Sequence, residues 1–478
     1  MTERVQPSVI VIGAGPVGLA AAAHLVARGL TPLILERGPA IGTSLRAWGH
    51  VRVFSPWEYN IDSAARLLLE DVGWIAPDPK ALPTGSELIR DYLAPLARHP
   101  AIAPHLVRNA AVTAIARAGI DKPTSKRRAE APFVVCWHGV NGEERRAKAG
   151  AVVDASGTWD QPNPMGIDGL PVAGERAAAD RIAYGSPDVL EKQRETYRGK
   201  HVLVVGSGHS AINVALDLLR LRDQAPATRV TWALRGNRID KLIGGGINDQ
   251  LPERGALGLA AKRAIEARRL TVLAPFAAER IERTEGGLVV TATLDGRQVE
   301  LTVDRIIVAT GFRPDLTMLR ELRVALDPAV EATPALAPLI DPNLHSCGTV
   351  PPHGAAELAH PEPGFYIVGS KSYGRAPTFL MATGYEQVRS VVAEIAGDHI
   401  AARDVRLVLP ETGVCSVNLV SDANATAACC GGPTQVEATA CCAADADAKA
   451  AGKAGCGCPS PPEPAATISV ASCRGVPA

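Results

Sequence analysis

Apolar residues run unbroken from Val9 to Ile12. The run is too short for a helix and lacks the alternation of a half-exposed strand, so it predicts a strand buried on both faces. Gly13-Ala14-Gly15-Pro16-Val17-Gly18 follows, then an Ala- and Leu-rich stretch that predicts a helix. A stop at Gly29 and a second apolar run, Leu33 to Leu35, lead to Glu36. The same order returns later. His201–Val205 predicts a strand, Gly206-Ser207-Gly208-His209-Ser210-Ala211 a turn, and Ile212 to Arg222 a helix. Val230 to Leu234 predicts the next strand, closed by Arg235-Gly236-Asn237-Arg238.

The remaining pattern is plainer. Residues 107 to 153 read as short strands around a basic hairpin-like loop, 122 to 128, and Gln161-Pro162-Asn163-Pro164 then breaks regular structure. Residues 271 to 309 read as further strands. A last strand ends at Gly369, before a helix from Tyr385 to Ala396 whose Val388, Val391, Val392 and Ile395 share one face. Thr84 with Glu87 three residues on forms a capping box that starts an earlier helix. From residue 421 the chain is rich in Ala, Gly and Pro without periodicity, and is expected to be disordered. The fold class is therefore α/β, with two Rossmann-like dinucleotide-binding domains and a disordered C-terminal tail.

The two glycine turns carry the chemistry. Gly13 permits a tight turn, Gly15 lets a pyrophosphate approach the backbone, and Gly18 lets helix and strand pack closely. The N–H groups at the helix start then face the phosphates. Glu36, closing the second strand, is placed to accept hydrogen bonds from a ribose diol. The second turn ends in arginines instead of an acid, and Arg235 with Arg238 favours a 2′-phosphate, hence NADPH over NADH. Aromatic residues make up only 4% of the chain, yet Trp48, Phe54, Trp57 and Tyr59 cluster just after the first motif. They read either as an apolar wall for a flat ring system or as a plain core corner. Arg52, Trp57 and Asn60 are the candidate pocket groups there.

Composition narrows the rest. Fifty basic and fifty acidic residues cancel in a chain of 478, which gives no reason to expect nucleic acid or a membrane as partner. Residues 7 to 30 are apolar enough to resemble a membrane span, but their glycines, Pro16 and His24 fit strand–turn–helix better. With no signal-peptide pattern, a cytoplasmic location is expected. Ten cysteines are distributed unevenly: Cys136 and Cys347 precede residue 400, and Cys347 lies between His345 and His353. Cys347 reads as a weak catalytic candidate or as an inert buried thiol. Cys429, Cys430, Cys441, Cys442, Cys456 and Cys458 crowd the tail, where thiolates can hold soft metalloid ions or pass electrons.

Gly13/Gly15/Gly18 with Glu36, the turn at Gly206/Gly208 and the Ala309-Thr310-Gly311 strand end together resemble the two-dinucleotide-binding-domain flavoproteins. Phe54-Ser55-Pro56, Ala155-Ser156-Gly157-Thr158-Trp159 and Phe312-Arg313-Pro314-Asp315 are similar to the flavin-containing monooxygenase-like branch, including flavin monooxygenases associated with arsenic resistance. The resemblance implies an FAD-binding domain in two parts, 1–170 and 301–420, with an NADPH-binding domain, 171–300, inserted between them and the tail from 421 to 478. It implies FAD held at Gly13, Ala14, Gly15, Pro16, Gly18, Glu36, Arg37, Trp48, Gly311, Gly369 and Ser370. NADPH would lie at Gly206, Ser207, Gly208, His209, Ser210 and Arg235. It implies that reduced flavin captures molecular oxygen and hands one atom to a small soft substrate. Two departures stand out. Residues 177 to 200 hold Tyr184-Gly185 but none of the histidine of the monooxygenase signature, and the last flavin strand ends Gly369-Ser370 where Gly-Asp is usual. An NADPH-dependent thiol or metalloid reductase that uses the tail cysteines is the alternative.

Overall fold

Five parallel strands form the first sheet: β1 (Val9–Ile12), β2 (Pro32–Leu35), β3 (Leu106–Val107), β7 (Ala151–Asp154) and β16 (Phe365–Ile367), in the order β16-β7-β1-β2-β3. Every residue of β1 is buried, as its unbroken apolar run requires of a central parallel strand. The computed structural model describes residues 8–236, 251–343, 350–376 and 379–407.

The second sheet is also parallel throughout. It comprises β8 (Ile182–Tyr184), β9 (His201–Val205), β10 (Arg229–Ala233), β11 (Thr271–Leu273) and β15 (Arg305–Val308), in the order β11-β10-β9-β15-β8. All of it lies in the chain between β7 and β16, so the second lobe is inserted into the first. The chain returns after Val308 and not at residue 300, because β15 pairs with β9 at Arg305↔Val202. An apolar run of four residues carries no mark of which sheet it joins.

Each lobe adds a three-stranded antiparallel sheet: β4 (Ala111–Arg117), β5 (Phe133–His138) and β6 (Glu144–Ala149) in the first, β12 (Phe276–Thr284), β13 (Gly287–Leu294) and β14 (Arg297–Val303) in the second. The basic loop between β4 and β5 is not simply solvated. Arg128 and, from β4, Arg117 are buried against Glu362, at 2.7 and 2.8 Å. That pairing spans more than two hundred residues and leaves no local trace in the sequence.

Helices cover the first sheet. The Pro16–Ala27 helix buries Ala20 to Ala23 completely and packs on the Met381–Ile395 helix, with Val388, Val391 and Val392 facing inward. A Cβ on Gly384 would stand 2.5 Å from the Val17 side chain, so these helices meet at a glycine. The C-terminal helix starts at Met381, four residues before the expected Tyr385, and the Thr383-Gly384 pair lies within it. The capping box at Thr84 and Glu87 is present. Its helix runs on to Arg98 through a π turn at 88–93. Pro95 offers no N–H to the Asp91 carbonyl one turn back, which instead accepts the Trp74 indole N–H at 2.8 Å.

The two passages between lobes run side by side. Asn163 donates its backbone N–H to Gly311 O, and Arg313 donates to Gln161 O, each at 2.9 Å. The Asn163 side chain adds bonds to Thr310 O and from Arg313 Nε.

Candidate functional site

Both glycine turns are built alike. Gly13 and Gly206 have φ of +98° and +133°, a region open to glycine and closed to most side chains. A Cβ at Gly13 would lie 2.7 Å from Ala155 O, and one at Gly206 2.3 Å from Ala309 O. Two residues on, Gly15 and Gly208 face open space, with nothing within 4 Å of an added Cβ. Each is the N-cap of the following helix, Pro16–Ala27 or His209–Gln224, and neither helix start receives a side-chain cap. The helix N–H groups and the positive end of the dipole are therefore left for an external acceptor.

Side chains hold each turn in place. Glu36 is buried, and its Oε2 accepts the Ala14 N–H at 2.8 Å. Its Oε1 accepts the Gly38 N–H at 2.9 Å and the Thr43 hydroxyl at 3.1 Å. A carboxylate has about four acceptor positions, so Glu36 braces the turn with three and keeps the remainder toward the cavity that it lines. The second turn is braced by Trp232, whose indole N–H donates to Gly206 O at 2.7 Å.

A cavity of about 570 Å³ runs from the first turn to the start of the second lobe's helix. Gly13, Gly15, Pro16, Glu36, Arg37, Trp48, Arg52, Gly369 and Ser370 line it, and from the second lobe so do His209 and Ser210. Val51, Val53 and Phe54 form an apolar wall, completed by Phe379, Leu380 and Met381 at the start of the C-terminal helix. Phe54 lies against the His209 ring, 5.0 Å between centroids, with the Arg254 guanidinium 5.8 Å from its own centroid. Trp159 stacks on Phe312 at 4.6 Å.

Several expected residues lie elsewhere. Asn60 is buried beneath the aromatic loop and does not line the cavity. Its amide donates to Ser55 O and Pro56 O, and its carbonyl accepts the Ser55 hydroxyl, so it closes that turn. Trp57 packs into the core of the first lobe. Arg52 does line the cavity, but its guanidinium donates to Leu82 O and stands 3.7 Å from Glu87. Ala14, Gly18, Ser207 and Gly208 belong to the turns behind the lining, and Gly311 to the paired passage between lobes. Arg235 is exposed at the end of β10. Arg238, Cys347, Cys429, Cys430, Cys441, Cys442, Cys456 and Cys458 fall outside the described residues.

Two polar groups at the cavity went unread in the sequence. Lys371 lines the cavity while its ammonium pairs with Asp154 at 2.7 Å, both side chains being buried. The signal was an acid closing the apolar run Ala151-Val152-Val153, since a charge in a buried strand requires a partner. Behind Gly369, the Gln387 carbonyl accepts that residue's N–H at 2.8 Å, and Gln387 Nε2 lies 3.1 Å from His353 Nε2. His353 Nδ1 faces Pro351 O at 2.9 Å. Burial holds the His353 pKa below its ordinary value, which favours the neutral ring that can accept from Gln387. Asp315, also lining the cavity, is held below the usual carboxylate range, first by the Thr317 side-chain hydrogen bond and in part by the Lys371 charge.

Among known families, the profile described as pyridine nucleotide-disulphide oxidoreductase matches residues 7–350. Bacilliredoxin reductase Bdr of Bacillus subtilis is 26% identical over 327 residues, 68% of this chain and 82% of that protein. The probable indole-3-pyruvate monooxygenase YUCCA1 of Arabidopsis thaliana is 28% identical over 213 residues, 44% of each chain. Two solved structures share the fold. The bacillithiol disulfide reductase Bdr of Bacillus cereus has a TM-score of 0.60 at 20% identity, covering 82% of this chain and 100% of that one. The cadaverine monooxygenase DfoA of Erwinia amylovora has a TM-score of 0.59 at 15% identity, covering 88% and 100%.

Proposed function

This chain belongs to the pyridine nucleotide-disulphide oxidoreductase family, a family of flavin-dependent enzymes, and from that premise we propose an FAD-dependent, NADPH-consuming oxidoreductase that oxygenates a small soft nucleophile. The substrate class is a sulfur, nitrogen or arsenic compound. One observation carries the two-nucleotide reading: two uncapped helix starts with open room at Gly15 and Gly208. A pyrophosphate fits such a cradle, because it supplies the acceptors both helices lack.

In this reading Gly13, Ala14, Gly15 and Pro16 hold the FAD pyrophosphate, and Glu36 and Arg37 face its adenosine half. Trp48, Gly369 and Ser370 line the remainder of its seat. Gly206, Ser207, Gly208, His209 and Ser210 hold NADPH, with Arg235 set toward the 2′-phosphate. When bound, these groups supply two-electron chemistry, NADPH as donor and flavin as acceptor. The chain's own residues bind and orient the two rings, and the apolar wall from Val51 to Phe54 with Phe379 to Met381 keeps water from them. Gln387 and His353 fix the Gly369 turn. Among the described residues no cysteine lines the cavity, and Cys136 lies on β5. Only Cys136 and Cys347 precede residue 400, so no CxxC or CxxxxC pair stands there to take electrons from the flavin, which favours oxygen over a fold-borne dithiol as the electron acceptor.

Reduction of a disulfide or a metalloid through the tail cysteines is the second reading, favoured by the similarity to bacilliredoxin reductase over most of that protein's length. Anaerobic turnover separates the two. The oxygenase reading expects one equivalent of NADPH oxidised per flavin under nitrogen, then nothing until oxygen is admitted. Sustained anaerobic NADPH consumption with a low-molecular-weight disulfide, abolished by deleting residues 421–478, overturns it in favour of the reductase.

A further inference from the structure

Lys371 is the buried cation of the cavity. Three cationic side chains line it among the described residues, Arg37, Arg52 and Lys371. The arginines are more than half exposed and engaged by Asp160 and Leu82 O. The Lys371 side chain is 1% exposed, with Nζ 2.7 Å from Asp154 Oδ2 and 3.1 Å from Ser156 Oγ. Asp154 also accepts the Ser156 hydroxyl at 2.6 Å and its N–H at 3.1 Å, so three of this carboxylate's about four acceptor positions are taken. An ammonium has three donors, and two are accounted for.

A buried ion pair contributes little net stability, since desolvation offsets most of the attraction. Its position suggests another use. Asp154 closes β7, which lies between β16 and β1, Ser156 and Lys371 both line the cavity, and Ser370 precedes Lys371 in the chain. The charge acts where water screens it least. Without it, Asp154 and Asp315 would leave this end of the cavity acidic.

We propose that Lys371 sets the reduction potential of the flavin, favouring the reduced form by placing a fixed positive charge beside the seat that receives negative charge on reduction. This rests on the flavin reading above. The couple is the two-electron one, with NADPH oxidised to NADP⁺ as flavin is reduced. Lys371 lowers the energy of the product side and Asp154 raises it.

Dye-equilibration potentials of the purified holoprotein test this, with FAD content measured on the same samples. K371M is expected to hold FAD and to shift the flavin–dye equilibrium at least tenfold toward oxidised flavin, about 30 mV for a two-electron couple. K371R should stay near wild type. D154N, which keeps an acceptor for the ammonium, should shift the equilibrium the opposite way, and its shift decides the matter should K371M not fold. FAD bound with unchanged potential in both K371M and D154N overturns the role of Lys371 and leaves the flavin reading intact. A wild-type protein that retains no FAD after reconstitution overturns both.

Discussion

Replacing Gly208 by Asp separates binding from folding. The residue has φ −83° and ψ 176°, extended backbone that any residue adopts, and an added Cβ meets nothing within 4 Å. Asp is a strong N-cap, and its charge at the helix start is worth about 0.3–1 kcal/mol. The free protein should therefore be as stable as wild type or slightly more so. In the proposed assignment of this turn, the same carboxylate would occupy the place of the NADPH pyrophosphate. Two like charges about 4 Å apart repel by about 1–4 kcal/mol between bulk-water and near-surface screening, and about 1 kcal/mol of helix-dipole attraction goes to the new side chain. The sum, about 2–5 kcal/mol, is at least roughly a 30-fold loss of NADPH affinity. Fluorescence titration of the holoprotein reads the affinity, flavin absorbance the FAD content, and urea unfolding the stability. NADPH binding that is undiminished in G208D, with the fold intact, would refute the assignment of this turn.

Other substitutions probe neighbouring features. G206A should unfold at distinctly lower urea, by about 3 kcal/mol or more, because positive φ and a Cβ 2.3 Å from Ala309 O both act against it. R235A should weaken NADPH roughly tenfold or more and leave NADH unchanged, as the loss of one charge-assisted bond requires; equal losses for both would remove the 2′-phosphate role. Burial pushes His360 down to about 4 from 6.5, against smaller opposing effects of the Ala325 backbone and the Asp154 charge. The unfolded chain binds this proton first, so stability is full above pH 6.5 and falls as pH drops toward 4, by about 2 kcal/mol at pH 5. His353 titrates in the same direction. H360F should flatten the urea midpoint between pH 7.5 and 5 relative to wild type, and an unchanged slope would sink this account.

The strands and both turns were legible in the sequence, because buried parallel strands read as unbroken apolar runs and glycines mark turns, whereas the insertion of one lobe in the other was implied by the family resemblance alone. Side-chain contacts were not, whether the partner is near in the chain, as for Asn60, or far, as for Lys371. Nothing near Asn60 shows that its amide is engaged by Ser55 and Pro56, and nothing near Glu36 shows that it braces Ala14 and Gly38. Lys371 meets Asp154 across 217 positions. Helix starts were placed late for a related reason. The uncapped beginnings at His209 and Met381 lack the Ser, Thr, Asp or Asn that usually announces one.

The pairing of the two passages has a practical corollary. Where Asn163 meets Gly311 and Gln161 meets Arg313, the point at which the second lobe leaves the first lies beside the point at which it comes back. A module whose ends adjoin can be excised and the cut rejoined by a short linker, because closing a small gap costs little chain entropy. The seam is therefore the place at which to exchange the second lobe for one of different coenzyme preference, provided the replacement keeps a partner for Phe54 where His209 now stands.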